Sequence, residues 1–282
     1  MNKTCLSTSV EEFNFPDGQP HIKVKEFLPA LNCRIANSDD LVKVCLLLDV
    51  YSRAKKPLDL TILYVMGERM DRAISENEPN SCDVICKMLQ TQADKMDGTI
   101  TLLSPHSDVV HLNIQGCSDR TEDEMMTESV FYDKAVKNYL LFTGVSQQEV
   151  EYRTTEFTIV FPDKGAKARI GETPIMRWWP NANLVTMEKV RELSTGKING
   201  IKISEGKPLK KCVILDDLCD GGATFIGASK ALREAGAEQI CLAVTKGVFS
   251  KGYDLPGIDY IATTNAYKEI EPGNNRFVHK YI

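Results

Sequence analysis

Apolar and polar positions along this chain switch repeatedly between strand-like and helix-like spacing. LVKVCLLLDVYSRA (41–54) reads as a buried helix, and LDLTILYV (58–65) as a core strand. NSCDVICKMLQTQADKM (80–96) returns to helical spacing. Asn80 or Ser81 suits its N-cap, and Val84, Ile85, Met88 and Leu89 are expected on its inner face. GTITLLSP (98–105) is the next strand. The second half repeats the alternation: FTIVFPD (157–163) and NLVTMEKV (183–190) read as strands, and KCVILDDL (211–218) is the most apolar strand of all. TFIGASKALREA (224–235) reads as a helix with Gly236 just beyond its end, followed by strands in QICLAVTKGVFS (239–250) and DYIATTNA (259–266). Such alternation predicts α/β construction. The polar stretch GVSQQEVEYRTT (144–155) divides the pattern, so two domains are expected, 1–148 and 149–282, each a mainly parallel sheet flanked by helices.

Composition narrows the classes. A hydrophobic content of 43% with 26% charged residues is that of a soluble globular protein, and no apolar run reaches the roughly 18 residues of a membrane span. The start, MNKTCLSTSVEE, lacks the apolar core of a signal peptide. The net charge of −5 argues against nucleic acid as a partner, which requires a basic surface. Nine scattered cysteines, with Cys82 and Cys86 at helical spacing and no second pair at zinc-ligand distance, suggest free thiols in a reducing, cytoplasmic compartment.

The most specific stretch is VILDDLCDGGATF (213–225). A buried strand runs into two adjacent acids, then into a turn where Gly221 and Gly222 permit left-handed backbone, with a helix behind it. Successive N–H groups in such a turn form an anion nest that suits a phosphate. Asp216 and Asp217 cannot serve that anion, but at a strand's carboxyl end they can hold ribose hydroxyls or a Mg²⁺-bound diphosphate. The plain alternative is a solvated acidic turn that caps the helix.

This stretch resembles the binding loop of type I phosphoribosyltransferase-fold proteins, a group that includes phosphoribosyltransferases and ribose-phosphate diphosphokinases (PRPP synthetases). Further segments resemble the diphosphokinases. EEFNFPDGQPHIKV (11–24) is similar to their FPDGE-type segment, with Phe15 and Asp17 matching and Gln19 in place of Glu. MGERMDRAISENEP (66–79) is similar to their Y-x-R-Q-D-R loop at Arg69 and Asp71. LLSPHSDVV (102–110) matches their D-L-H-A segment at His106, with Ser104 in place of Asp. VFPDKGAKARI (160–170) resembles S-P-D-x-G-G-A-K-R, with Asp163, Gly165, Ala166 and Lys167 in place and Phe161 for Ser. NLVTMEKVRE (183–192) carries the K-x-R of the catalytic loop at Lys189 and Arg191, and TKGVFS (245–250) has Lys246 where His is usual. The resemblance covers residues 11–265, close in the second half and patchy in the first.

The resemblance implies two phosphoribosyltransferase-like domains, an ATP side followed by a ribose-phosphate side. It implies transfer of the β,γ-diphosphoryl group of Mg²⁺–ATP to the anomeric hydroxyl of a ribose 5-phosphate unit, releasing AMP. Phe15, Asp17, Gln19, Arg69 and Asp71 would hold ATP, the first three on a neighbouring subunit's nucleotide, within a homo-oligomer (dimer or hexamer). Asp220, Gly221, Gly222, Ala223 and Thr224 would hold the 5-phosphate, and Asp216 and Asp217 the ribose. Asp163 and His106 would position magnesium, while Lys189 and Arg191 stabilise the transferring charge. Trp178 and Trp179, in RWWPNAN (177–183), either pack in the core or offer a stacking face for a second base. The second case would admit a conjugate such as ADP-ribose as acceptor. Two other classes stay open: a phosphoribosyltransferase that consumes the sugar diphosphate, and a non-catalytic regulatory homologue.

Overall fold

A computed structural model describes residues 6, 8–106, 122–191 and 198–281. The chain divides into two compact units: Met1–Glu124 with Ala266–Glu269 and Tyr281–Ile282, and Met125–Asn265 with Ile270–Lys280.

In the first unit an antiparallel hairpin, β1 (Val10–Asn14) and β2 (Pro20–Val24), precedes a parallel sheet in the order β3 (Ala30–Ile35), β4 (Asp59–Val65), β5 (Ile100–Leu102). The helix expected at 41–54 forms as α1 (Ser38–Ala54). Asn37 starts it by accepting from the Asp40 N–H, and Lys55 ends it in the left-handed region. α2 (Ser81–Ala93) is capped by Asn80, one of the two expected caps. Its inner face differs from the expected one in part. Ile85 and Leu89 are buried, but Val84 and Met88 are 51% and 47% exposed. The buried stripe runs Cys82, Ile85, Cys86, Leu89, the i, i+3, i+4, i+7 spacing of one helix face. Two thiols acting as small apolar groups take the places assigned to the larger side chains.

The second unit contains α3 (Glu122–Phe142) from Met125 onward, α4 (Gln147–Glu151), β6 (Thr158–Phe161), α5 (Lys164–Ile170), α6 (Pro174–Trp178), β7 (Asn183–Arg191) and β8 (Ile198–Glu205). β9 (Lys211–Cys219), α7 (Ala223–Glu234), β10 (Gln239–Gly247), β11 (Tyr260–Thr264) and β12 (Arg276–His279) follow. The strands form one sheet in the order β12-β11-β10-β9-β6-β7-β8, parallel throughout except for the β7–β8 pair. β9 is buried from Cys212 to Cys219, the pattern of a parallel strand covered on both faces. Its side chains alternate: Val213 and Leu215 join Phe131, Tyr132 and Tyr139 of α3, whereas Cys212 and Ile214 join Phe225, Ala228 and Leu232 of α7. The short helix α5 has no counterpart among the elements expected from the sequence.

For Trp179 the two readings are separated by packing. Trp179 is 2% exposed, its Nε1–H donates to Asp133 Oδ1 at 3.0 Å, and its ring meets Phe157 edge-on at 5.3 Å. The Arg153 guanidinium lies 4.6 Å over the same ring. Trp178 is partly buried against the same cluster. A buried indole with its N–H satisfied is core, so Trp179 offers no platform for a second base. Among the described residues no helix is long and apolar enough to cross a membrane, and the described cysteines are free thiols. Trp179→Ala is expected to destabilise the protein by about 3–5 kcal/mol. Urea unfolding followed by circular dichroism checks this, and an unchanged midpoint would contradict the packing assigned to the ring.

Candidate functional site

Parallel pairing brings the carboxyl ends of β6, β7 and β9 to one edge of the second unit's sheet, the edge at which ligands bind in open α/β folds. Asp163 lies two residues beyond β6 and is the N-cap of α5. Its Oδ1 accepts from the Ala166 N–H at 3.0 Å, and its Oδ2 accepts from Lys189 Nζ of β7 at 3.0 Å. Burial would raise the carboxyl's pKa, but the Ala166 N–H and the Lys189 ammonium outweigh it and hold Asp163 below the usual carboxylate range.

Asp216 and Asp217 lie near the end of β9 and are 9% and 2% exposed. Both Oδ1 atoms accept from a single nitrogen, Arg169 Nη2, at 2.6 Å each. The Asp217 N–H also donates to Asp216 Oδ1 at 2.9 Å. The backbone is held from both sides, since the Tyr132 hydroxyl donates to Asp216 O and the Thr245 hydroxyl to Asp217 O, both at 2.9 Å. Burial, reinforced by the charge of Asp217, pushes the Asp216 carboxyl well above its ordinary value, with Arg169 opposing the rise. Burial also works against the charge on Arg169, but Asp217 and Asp216 outweigh it and keep the guanidinium firmly protonated. Arg169 is not among the candidates from the sequence. The available signal is the segment itself: Arg169 stands where S-P-D-x-G-G-A-K-R ends in Arg, and with Asp163 as a helix cap it falls in the last turn of a seven-residue helix that starts at the same sheet edge.

The glycine turn follows directly. Gly222 has φ +78 and begins α7, whose N-terminus no side chain caps. A Cβ on Gly222 would stand 2.5 Å from Leu255 Cδ2, so only glycine fits both the backbone and the space. Asp220, Gly221 and Thr224 are half-buried around this turn, and Ala223 is exposed. Lys246, at the end of β10, is 1% exposed and therefore part of the interior beside the site.

Within the first unit the remaining candidates form two groups. Phe15, Asp17 and Gln19 occupy the β1–β2 turn, where Asp17 Oδ1 accepts from the Gln19 N–H at 3.1 Å. The Phe15 ring, 42% exposed, packs against Phe13 at 5.5 Å and His21 at 5.1 Å. Arg69, Asp71 and His106 lie in the loops at the carboxyl ends of β4 and β5. Glu68 joins the two loops by accepting from the His106 N–H at 3.4 Å. Arg69 is exposed and Asp71 half-buried. The backbone of Arg191 pairs in β7, but its side chain, together with residues 107–110 and 192–197, lies outside the described residues.

No protein-family model matches the chain. The ribose-phosphate pyrophosphokinase of Mycoplasmopsis pulmonis is 25% identical over 277 residues, covering 93% of this chain and 78% of that protein. The Pyrococcus abyssi ribose-phosphate pyrophosphokinase is 27% identical over 249 residues, covering 86% and 78%. The crystal structure of phosphoribosylpyrophosphate synthetase from Mycobacterium smegmatis matches with a TM-score of 0.68 at 19% identity, over 97% of this chain and 86% of that one, which establishes the fold. The strand order and this match together define an α/β protein with the fold of phosphoribosylpyrophosphate synthetase. Within that class the chain is similar in sequence to ribose-phosphate pyrophosphokinases over most of its length.

The raised pKa of Asp216 has a signed consequence. Folded protein binds a proton there more tightly than the unfolded chain, so this stability is complete below the unfolded value of about 4 and is lost as pH rises through the raised one. Asp216→Asn is therefore expected to gain stability relative to the parent as pH rises from acid to neutral, by up to about 1.4 kcal/mol for each pH unit crossed. Melting temperatures of both proteins across pH check this, and a difference that does not change with pH would contradict it.

Proposed function

We propose that the protein transfers the β,γ-diphosphoryl group of Mg²⁺–ATP to the anomeric hydroxyl of ribose 5-phosphate and releases AMP. The observation that carries this reading is the convergence of Lys189, Asp163, Asp216 and Asp217 beside the glycine turn on one sheet edge. The names of the relatives support the same reaction. In this reading the N–H groups of the turn from Asp220 to Thr224 and the Thr224 hydroxyl bind the 5-phosphate. Asp216 and Asp217 accept hydrogen bonds from the ribose hydroxyls and so fix the ring, with its anomeric oxygen towards Lys189. Lys189 and Arg191 place positive charge where the transferring group develops negative charge. The first unit is the ATP side, with Arg69 and Asp71 at the triphosphate and Phe15, Asp17 and Gln19 reaching the adenine of a neighbouring subunit in a homo-oligomer. A phosphoribosyltransferase would have no use for Lys189 or an ATP side.

The donor set suits magnesium. Asp163, Asp216 and Asp217 offer hard carboxylate oxygens, and the last two already converge on one cationic nitrogen. Mg²⁺ commonly takes one or two carboxylates and completes its shell with water and substrate phosphates, so no larger cluster of protein ligands is required. We assign Asp163 to the ion beside the sugar phosphate and His106 to the ion carried by ATP. When bound, the ion neutralises phosphoryl charge. The burial of Trp179 removes one of the two rings that could stack on a second base, which favours free ribose 5-phosphate over ADP-ribose. We place the protein in the cytoplasm, where ATP is found and thiols stay reduced.

Incubation with Mg²⁺–ATP and either ribose 5-phosphate or ADP-ribose, read by product mass, tests the reading. AMP and a ribosyl diphosphate are expected from ribose 5-phosphate. No AMP from either acceptor would defeat the proposal, and turnover of ADP-ribose alone would reverse the choice of acceptor. Lys189→Ala is expected to lower kcat by about 100- to 1,000-fold, the usual effect of removing one preorganised charge-stabilising donor. Calorimetry should show ATP binding largely retained, and undiminished turnover would remove Lys189 from the mechanism.

A further inference from the structure

Helix α5 is fastened by charge at both ends. At its amino end Asp163 caps the helix and holds Lys189 of β7 at 3.0 Å. At its carboxyl end Arg169 holds Asp216 and Asp217 of β9 at 2.6 Å each. The strand leading into α5, β6, lies between β7 and β9 in the sheet. One helix, about 10 Å long, thus spans the working ends of both neighbouring strands. So short a helix has little stability of its own, so its position depends on these ion pairs and on the buried Ala166 and Ile170.

Arg169 is suited to set that position. Its side chain is 24% exposed, against 2% for Asp217, so the guanidinium sits where the core gives way to the ligand edge. Asp217, Asp216, the Tyr132 hydroxyl and Asp163 are among the groups that act on its charge. Loss of the guanidinium would remove a counter-charge shared by two buried carboxylates, a situation that proteins relieve by moving the group or neutralising it.

We propose that Arg169 is a positioning residue. Through its ion pairs it fixes the two carboxylates that receive the ribose hydroxyls, and through α5 it sets the place of Asp163, from which Lys189 starts. The choice of substrates rests on the diphosphoryl-transfer reading above. Arg169 does not touch the transferring group and acts only through the residues that do.

Steady-state kinetics of the full chain carrying Arg169→Ala or Arg169→Lys test this, alongside calorimetric binding of ribose 5-phosphate alone. Arg169→Ala is expected to lose about 100-fold in kcat/KM for ribose 5-phosphate, the effect of displacing reacting groups by ~1 Å, while KM for ATP stays unchanged. Arg169→Lys keeps the charge without the planar fork and should recover part of the loss. A merely structural role would scale kcat with the folded fraction and leave both KM values alone, and that outcome overturns the proposal. Parental kinetics in a folded Arg169→Ala protein overturn it equally. Should Arg169→Ala not fold, Arg169→Lys decides, and an unchanged KM for ribose 5-phosphate counts against the role. If the parent binds ribose 5-phosphate but forms no AMP, the transfer reading fails while loss of sugar-phosphate affinity in the Arg169 variants still supports the positioning role. A parent that binds no ribose 5-phosphate overturns both.

Discussion

Two neighbouring carboxylates buried at the end of one strand are the constraint around which the second unit is organised. Unit charges 4 Å apart repel by about 4 kcal/mol even at an effective dielectric of 20, and burial adds a desolvation penalty. The protein answers with one guanidinium nitrogen shared between Asp216 and Asp217, and with hydroxyl donors from Tyr132 and Thr245 that pin the strand backbone on either side. That arginine must arrive from a neighbouring element at the right height. Helix α5 delivers it, and α5 exists at that place because Asp163 caps it at the end of β6. The acidic pair, the arginine, the cap and Lys189 are therefore one connected electrostatic unit.

The parallel sheet makes this unit possible. β7, β6 and β9 run in the same direction, so residues just past each strand fall on a common edge. Antiparallel neighbours would have sent one of them to the opposite edge. Gly222 completes the arrangement by turning the chain sharply after β9, so that α7 begins at the same edge with its N-terminus uncapped by any side chain.

Much of this is legible in the sequence, for identifiable reasons. Strong periodicity and capping residues locate α1, α2 and α7 and the core strands, and DDLCDGGATF marks the strand–turn–helix unit because only that geometry calls for adjacent acids followed by paired glycines. Helix α5 is hidden because KGAKARI has too few apolar positions to show a period; Ala166 and Ile170 alone face inward. Arg169 is visible as the Arg that ends the S-P-D-x-G-G-A-K-R resemblance, but its importance comes from contacts 47 and 48 residues away in sequence, which no local pattern shows. Val84 and Met88 are larger and more apolar than Cys82 and Cys86, so composition favours them for the inner face of α2. The phase of the helix, which Asn80 sets, decides the matter instead. The fate of Trp179 depends on Asp133 and Phe157, distant residues that no local pattern could reveal.

The two ion pairs that fasten α5 differ in what breaking them costs, and the difference matches what each has to do. Lys189 and Asp163 have side chains about one-third exposed, 31% and 32%, a setting in which an ion pair is worth no more than about 1 kcal/mol. Asp217 is almost wholly enclosed, and removing a partner from a buried pair typically costs about 3–5 kcal/mol. In the proposed reaction Lys189 has to turn from Asp163 towards the incoming phosphoryl group, whereas Asp216 and Asp217 have to stay still under the ribose. A weak pair lets the lysine move within thermal reach, and a strong one holds the carboxylates in place. Were the strengths exchanged, the sugar would bind to mobile acids and the lysine would be held away from the group it is to stabilise.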